Sequence, residues 1–262
     1  MGGNVPVVIL CGGKGLRLLP YSSDFPKALI PIGDMPVLWH VMKLFSAYHY
    51  RRFILAIGHR GDEIIDWFLR FRERRCDFTL SFAGPGDRRF HKQLPEDERQ
   101  WEITFVHTGE ETETGGRLRR VLPYIDGEHV LATYADGLTD ADIPSILRFH
   151  LDNGYHATLL SVYCRSRFGV LDCRDGLVSR FDEKPERILR VNGGFFAFHR
   201  SVLENIPGDE AVLETHVLPK LAEMGVLGAY EHNGFWHCLD TPKDLLHLRT
   251  LWASPSPPWK IW

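Results

Sequence analysis

The chain has 262 residues, of which 31 are lysine or arginine and 34 are aspartate or glutamate, so its formal net charge is −3. With 44% hydrophobic and 25% charged residues, the composition excludes an intrinsically disordered chain, and the charge excludes a nucleic-acid binder that relies on bulk positive charge. No apolar run reaches the roughly 18 residues of a membrane helix, and the five cysteines are scattered without a C-x-x-C pair. We therefore expect a cytoplasmic protein without membrane contacts, a disulfide framework or a thiolate zinc site.

The first two thirds of the chain alternate between short apolar runs and amphipathic stretches. The apolar runs predict buried strands at residues 5–11, 53–57, 78–82, 101–106, 130–134 and 157–162. Apolar residues at helical spacing predict helices that begin at Pro36 and that cover 62–71, 115–121 and 143–151. Buried strands that alternate with helices predict an α/β fold, a doubly wound, mostly parallel sheet with helices on both faces.

The last third of the chain has a different pattern. Two strand-like runs, 169–173 and 177–181, flank Arg174-Asp175-Gly176, which is typical of a hairpin turn. A further strand is expected at 194–199 and a helix at 241–251. The pattern predicts a small antiparallel portion added to the parallel sheet.

A glycine-rich turn directly follows the first predicted strand. Gly12, Gly13 and Gly15 would let backbone N–H groups approach phosphate oxygens closely, although neither the dinucleotide nor the Walker pattern is present. The same loop carries Arg17 and Lys27, and concentrated positive charge brings two mutually repelling phosphates to bonding distance. The alternatives are a tight turn without a ligand and two solvated loop cations.

Two isolated acids follow apolar segments further along the chain. Asp136 comes directly after a predicted strand, at the edge where α/β sheets bind ligands, and its carboxylate suits Mg²⁺. Asp240 precedes the predicted helix at 241–251. The alternative interpretation of Asp136 is an Asp-Gly turn, and that of Asp240 is the N-cap of the helix.

Three further segments combine glycines with polar groups. Thr114-Gly115-Gly116-Arg117 opens a predicted helix, and its glycines allow close approach of a base or a phosphate. Glu183-Lys184-Pro185 and Asn192-Gly193-Gly194 supply an acceptor, a cation and an amide, which together suit sugar hydroxyls and a phosphate. Each segment alone would be an ordinary turn.

Taken jointly, these segments resemble the sugar-phosphate nucleotidylyltransferase family over nearly the whole chain, from about residue 7 to residue 262. The shared motifs are Gly12-Gly13-x-Gly15-x-Arg17, Pro26-Lys27, Asp136, Glu183-Lys184-Pro185 and Asn192-Gly193-Gly194. The features that resemble the glucose-1-phosphate cytidylyltransferase branch are residues 36–43 and 108–118, Gly234-Phe235-Trp236 and the closing tryptophans Trp252, Trp259 and Trp262.

The resemblance implies a Rossmann-like fold and an enzyme that transfers a nucleotidyl group from a nucleoside triphosphate, CTP in this branch, to a sugar 1-phosphate, glucose 1-phosphate in this branch. It implies Mg²⁺ held by Asp136 and Asp240, and catalytic phosphate contacts from Arg17 and Lys27. The implied nucleotide-binding residues are Leu10, Gly12, Gly13, Gly15, Arg17, Lys27, Thr108, Gly115, Gly116, Arg117 and Thr133. The implied sugar-phosphate-binding residues are Glu183, Lys184, Asn192, Gly193 and Gly194.

The resemblance also implies one domain over residues 1–262, with a nucleotide-binding core at about 1–164 and a sugar-phosphate-binding and oligomerisation portion at about 165–262, in a homo-oligomer. The chain departs from the family pattern at Leu16, Phe25 and Ala135, which bears on base and sugar selectivity. Two alternatives stay open. One is the same chemistry with dTTP, UTP or GTP or with another sugar phosphate, and the other is a non-catalytic nucleotide-binding subunit.

Overall fold

The structure is a computed structural model that describes residues 5–15, 18, 25–83, 87–164, 170–183 and 189–262. Its strands are β1 (Val7–Leu10), β2 (Pro31–Ile32), β3 (Met35–Pro36), β4 (Arg52–Ile57), β5 (Phe78–Leu80), β6 (Arg88–Phe90), β7 (Glu102–His107), β8 (His129–Tyr134), β9 (Gly137–Thr139), β10 (Ala157–Cys164), β11 (Val170–Arg174), β12 (Leu177–Asp182), β13 (Leu189–His199), β14 (Leu227–Glu231) and β15 (Trp236–Cys238). Its α-helices are α1 (Val37–Ala47), α2 (Gly61–Leu69), α3 (Phe71–Arg75), α4 (Glu96–Arg99), α5 (Thr114–Arg120), α6 (Ile143–Asn153), α7 (Arg200–Glu204), α8 (Leu218–Glu223) and α9 (Pro242–Trp252).

A seven-stranded sheet in the order β14-β10-β13-β8-β1-β4-β7 forms the centre of the molecule. Among the strands that the structure describes, β13 runs antiparallel to both of its neighbours and the other six point the same way. The prediction of a mixed, mostly parallel sheet with a small antiparallel portion is confirmed. Because β13 and β14 come from the last third of the chain, both portions contribute to one sheet.

The sheet is covered on both faces by apolar side chains. Along β1, Val7 and Ile9 face one layer, whereas Val8 and Leu10 face the other. This two-sided burial explains why β1 is apolar at every position. Helices α1, α6 and α9 pack in the first layer, and α5, α7 and α8 pack in the second.

Several element bounds differ from the prediction. The helix expected at 62–71 is divided into α2 and α3 at Arg70, and β13 begins at Leu189, five residues before the expected start. Pro36 is the N-cap of α1 instead of its first helical residue, because it also ends β3. The hairpin around Arg174-Asp175-Gly176 is present as β11 and β12.

The end of the chain packs onto α1 through aromatic rings. Trp259 is fully buried, stacks with Phe235 and Trp252, and directs its Nε1 towards Nδ1 of His40 at 3.4 Å. His40 in turn contacts the carbonyl oxygen of Ile32 through Nε2 at 2.9 Å. Trp259 therefore belongs to the core, and the partly buried Trp252 and Trp262 pack against it. In the described part of the chain, each helix is too short or too polar to cross a bilayer.

Candidate active site

A cleft of about 370 Å³ opens at the carboxyl ends of β1 and β8, the edge that the sequence predicts. The glycine turn, a lysine and two acids form much of its wall. The lining residues are Leu10, Cys11, Gly13, Lys14, Gly15, Lys27, Ala28, Thr114, Tyr134, Ala135, Asp136 and Asp240. Arg17 and Lys184, which the resemblance places in the site, lie outside the described residues.

Lys27 connects the two acids of the cleft. Its Nζ lies 2.5 Å from Oδ2 of Asp136 and 3.3 Å from Oδ1 of Asp240. All three side chains are about one-fifth exposed. Asp136 and Asp240, which are far apart in the sequence, therefore converge at one point beside the glycine turn.

Backbone pairing places the two acids together. Asp136 lies between β8 and β9, and Asp240 follows β15, which pairs antiparallel with β9. The N–H of Leu239 donates to the carbonyl of Asp136 at 2.9 Å. The N-cap interpretation of Asp240 is wrong, because Thr241 caps α9 in a capping box with Asp244.

The two neighbouring carboxylates determine the protonation state of Lys27. Burial alone would lower the pKa of Lys27, but the charges of Asp136 and Asp240 and the hydrogen bonds to them hold that pKa above its ordinary value. Lys27 therefore carries a full positive charge near neutral pH. Two carboxylates on one cleft wall fit Mg²⁺, which commonly takes one or two carboxylates together with substrate phosphates. Among the described residues, no group of three or more histidine, cysteine or acidic side chains could hold a metal.

The two thiols nearest the cleft are protonated near neutral pH. Burial raises the pKa of Cys11 well above its ordinary value. The residue is buried as predicted, although it lies just beyond the end of β1. Burial, together with the charges of Asp136, Asp240 and Asp244, raises the pKa of Cys238 to about 12. Neither thiol supplies an ionised nucleophile.

Arg117 holds the glycine turn through hydrogen bonds from its guanidinium. Its buried guanidinium donates to the carbonyls of Gly12, Gly109 and Glu110 and to Oγ1 of Thr108, at 2.6–3.2 Å. A Cβ at Gly12 would lie 2.1 Å from the guanidinium. Arg117 and Thr108, both expected near the nucleotide, thus lie beneath the turn and fix the loops that flank the cleft.

The two glycines that open α5 pack against the chain itself. A Cβ at Gly115 would lie 2.6 Å from the carbonyl oxygen of Ala211, and one at Gly116 would lie 2.5 Å from that of Asp209. Glycine is thus required here for close backbone packing. Contact of these two glycines with a base stays a prediction.

The segment expected to bind the sugar phosphate adjoins the end of β8. Thr133 Oγ1 donates to the carbonyl of Gly194 at 2.9 Å, and the Gly194 N–H donates to Oδ1 of Asn192 at 2.9 Å. Trp236 Nε1 donates to the carbonyl of Gly193 at 2.7 Å. These bonds shape a bulge in β13, where its register with β10 shifts. Glu183 is exposed just after β12.

One polar network at the cleft has no counterpart among the residues predicted from the sequence. Glu214 accepts hydrogen bonds from the Tyr134 hydroxyl and from Oγ1 of Thr114, the latter at 3.0 Å. Tyr134 and Thr114 line the cleft, and Glu214 lies on a π-helical turn, Leu213–Val217. The sequence around Glu214 contains no motif that distinguishes it from a surface glutamate.

The chain is similar in sequence to known proteins over nearly its whole length. The family model described as "Nucleotidyl transferase" matches residues 6–253. A protein of Salmonella typhimurium named glucose-1-phosphate cytidylyltransferase is 40% identical, with 97% of this chain and 98% of that protein covered. A Bacillus subtilis protein named probable glucose-1-phosphate cytidylyltransferase is 38% identical, with coverages of 97% and 99%.

Solved structures agree on the fold. HddC from Yersinia pseudotuberculosis superposes with a TM-score of 0.71 at 23% identity, and the match covers 95% of this chain and 99% of HddC. A putative glucose-1-phosphate thymidylyltransferase from Bacillus anthracis gives a TM-score of 0.68 at 17% identity, with 94% of both chains covered. The family model and the relatives near 40% identity establish that the chain belongs to the nucleotidyl transferase family.

Proposed function

We propose that the protein is a glucose-1-phosphate cytidylyltransferase, which forms CDP-glucose and pyrophosphate from CTP and glucose 1-phosphate. The observation that carries this proposal is the convergence of Lys27, Asp136 and Asp240 beside a glycine turn. The relatives of that name, 38–40% identical over nearly the whole chain, support the choice of base and sugar.

The reaction is a direct displacement at phosphorus. A phosphate oxygen of the sugar 1-phosphate attacks the α-phosphorus of CTP and forms the new P–O bond. The bond from that phosphorus to the oxygen bridging to the β-phosphate breaks, and pyrophosphate leaves with its electron pair. A phosphomonoester has a second pKa of about 6, so the nucleophile is largely ionised at neutral pH and needs no general base. The protonated thiols near the cleft are consistent with such a mechanism.

Catalysis then consists of alignment and neutralisation of charge. Asp136 and Asp240 would hold Mg²⁺, which when bound neutralises phosphate charge and polarises the phosphoryl group. Lys27 donates to phosphate oxygens at the reacting phosphorus. Arg17 and Lys184, outside the described residues, are proposed as further phosphate-binding cations on the nucleotide and sugar sides.

The walls of the cleft suggest how each substrate is oriented. Backbone N–H groups of Gly13 and Gly15 face the triphosphate, and the segment from Thr108 to Arg117 borders the base. Glu183 and residues 192–194 bind the sugar phosphate. We further propose that residues 1–164 form the nucleotide side and 165–262 the sugar side, and that the chain acts as a homo-oligomer.

A panel of nucleoside triphosphates tests the proposal. Purified protein, Mg²⁺ and glucose 1-phosphate are combined with CTP, UTP, dTTP, GTP or ATP, and pyrophosphate release is measured. We expect release with CTP well above the other four. Release with a different triphosphate alone would reassign the base. No release with any of the five, although CTP binds, would leave another sugar phosphate or a non-catalytic subunit, which a sugar-phosphate panel distinguishes.

A further inference from the structure

Lys14 is a cation at the tip of the glycine turn for which the reaction described above has no role. It stands between Gly13 and Gly15 and lines the cleft. Its Nζ pairs with Oε1 of Glu111 at 2.8 Å. Glu111 lies on the loop between β7 and α5 and, unlike Lys14, is absent from the cleft wall. The ion pair thus draws a cleft-lining cation towards an anion outside the cleft.

The two lysines of the cleft wall have different counterions. Lys27 pairs with Asp136 and Asp240, which are themselves in the wall. The charge of Lys27 is therefore already balanced inside the cleft, whereas that of Lys14 is balanced from outside. A triphosphate that enters the cleft brings several negative charges, which attract the ammonium of a lysine in the cleft wall.

The pair is also weak enough to exchange partners. The side chain of Lys14 is 44% exposed and that of Glu111 is 83% exposed, and ion pairs between exposed side chains contribute little to stability. Lysine is a point charge on a flexible four-carbon stem, so it can reach a new anion without backbone movement. A phosphate bearing more than one negative charge competes effectively with one carboxylate.

On the basis of the proposed function, we propose that Lys14 binds the β- and γ-phosphates of the nucleoside triphosphate and that Glu111 holds it aside in the free protein. The reacting α-phosphorus belongs next to Lys27 and the two acids. The phosphates beyond it then face the glycine turn, from whose tip Lys14 extends. Lys14 is thus a binding residue for the leaving pyrophosphate, and Glu111 is its competitor.

Nucleotide binding without turnover tests this assignment. Calorimetry with Mg²⁺ but no sugar phosphate measures the Kd of CTP and of CMP for the wild type, Lys14→Met and Glu111→Gln. We expect Lys14→Met to raise the Kd of CTP about tenfold, which corresponds to about 1.4 kcal/mol. The Kd of CMP should rise less than about twofold. Glu111→Gln should lower the Kd of CTP about twofold, because Lys14 no longer has a competing partner.

A matched ion pair elsewhere serves as the control. Lys92 pairs with Asp77 at the same 2.8 Å, and both side chains are more than two-thirds exposed. Neither residue lines the cleft. Lys92→Met removes the same charge from the whole protein, so the Kd of CTP should stay within about twofold of the wild-type value.

Three outcomes would overturn the assignment. Equal weakening by Lys14→Met and Glu111→Gln would show that the pair acts only as a brace between two loops. An equal effect of Lys14→Met on CTP and CMP would place the contact away from the terminal phosphates. An unchanged Kd in Lys14→Met would remove the contact altogether.

The wild-type protein separates this assignment from the proposed function. If it binds CTP but forms no CDP-glucose, the proposed activity fails, and the comparison of variants still decides the role of Lys14. If it binds no CTP, the proposed function is refuted, and inorganic tripolyphosphate replaces CTP in the same comparison. Weakening by Lys14→Met would then support a polyphosphate contact, and no change would overturn it.

Discussion

Lys27, Asp136 and Asp240 form one ionic group in which each member affects the others. The lysine offsets one of the two negative charges in the free protein, and the two carboxylates hold its pKa above the ordinary value. Substrate phosphates would compete with the carboxylates for the lysine. Removing one acid therefore alters both the free state and the reacting state.

The change Asp240→Asn keeps the side-chain shape and removes one charge. The capping box of Thr241 and Asp244 begins α9 without Asp240, so the fold should persist. We expect kcat for pyrophosphate release to fall about 10²–10³-fold, the loss typical when a group that stabilises transition-state charge is removed.

A control for that experiment is Asp126→Asn, whose side chain is 79% exposed and pairs with Arg52. It should leave kcat within about twofold of the wild type. Circular dichroism of both variants checks whether they fold like the wild type. Near-normal turnover of Asp240→Asn would contradict the role assigned to this acid.

At the scale of elements, α5 holds the glycine turn through Arg117. The guanidinium joins the turn after β1 to the loop after β7 by bonds to backbone carbonyls. Gly12 and Gly13 therefore differ in role although they are neighbours. A Cβ at Gly12 collides with Arg117, whereas one at Gly13 has no atom of the described residues within 4 Å.

Alanine substitutions at Gly12 and Gly13 should have different effects, on stability at Gly12 and on CTP binding at Gly13. Gly12→Ala displaces a buried, hydrogen-bonded guanidinium, and we expect the free energy of unfolding in urea to fall by about 2 kcal/mol. Gly13→Ala should change the free energy of unfolding by less than about 0.5 kcal/mol. It should weaken the binding of CTP, because Gly13 lines the cleft. Equal losses of stability in the two variants would be inconsistent with this difference.

At the scale of the whole molecule, the chain end completes the core around α1. Trp259 has no exposed surface and contacts His40, Phe235 and Trp252. Trp259→Ala should lower the free energy of unfolding by about 4 kcal/mol, as for other large buried aromatics. Ile261→Ala, at a side chain 37% exposed, should cost less than about 1 kcal/mol. Similar effects of the two changes would contradict the packing of the chain end.

Buried histidines make the stability of the molecule depend on pH. Burial lowers the pKa of His40 to about 4, and burial with the neighbouring His129, His199 and His156 lowers that of His150 to about 4. Both have an ordinary value of 6.5, so the unfolded chain takes up protons first as the pH falls. Stability is complete above about pH 6.5 and is lost progressively towards pH 4.

Urea unfolding at pH 7.5 and at pH 5 measures this loss. His40 and His150 should each lower the free energy of unfolding by about 2 kcal/mol between pH 7.5 and pH 5. His150→Gln, which cannot be protonated, should lose correspondingly less than the wild type over the same interval. An identical loss in both proteins would mean that His150 titrates normally in the fold.

The parts of the fold predicted from the sequence are those with a strong local pattern. β1, and β4 from Phe53 onwards, are apolar because they are buried on both faces, and that pattern is visible in the sequence. In contrast, β9 and β15 have three residues each, which is too short for a periodic signal. Their pairing, which no local pattern reports, places Asp240 beside Asp136.

The sequence indicates which residues belong to the candidate site but not which contacts they make. Arg117 was expected near the nucleotide, yet its partners are backbone carbonyls, which have no sequence signature. Lys14 and Glu111 are 97 residues apart, and their contact depends on how two loops meet. Glu214 reaches Tyr134 and Thr114 from a π-helical turn that propensity does not predict.

The most direct measurement is the identification of the product formed by the wild-type protein from CTP, glucose 1-phosphate and Mg²⁺, by chromatography against authentic CDP-glucose. We expect CDP-glucose and pyrophosphate in equal amounts, with formation slowed about 10²–10³-fold in Asp240→Asn and retained in Asp126→Asn. CTP binding without any CDP-glucose would contradict the central claim that this cleft carries out cytidylyl transfer to glucose 1-phosphate.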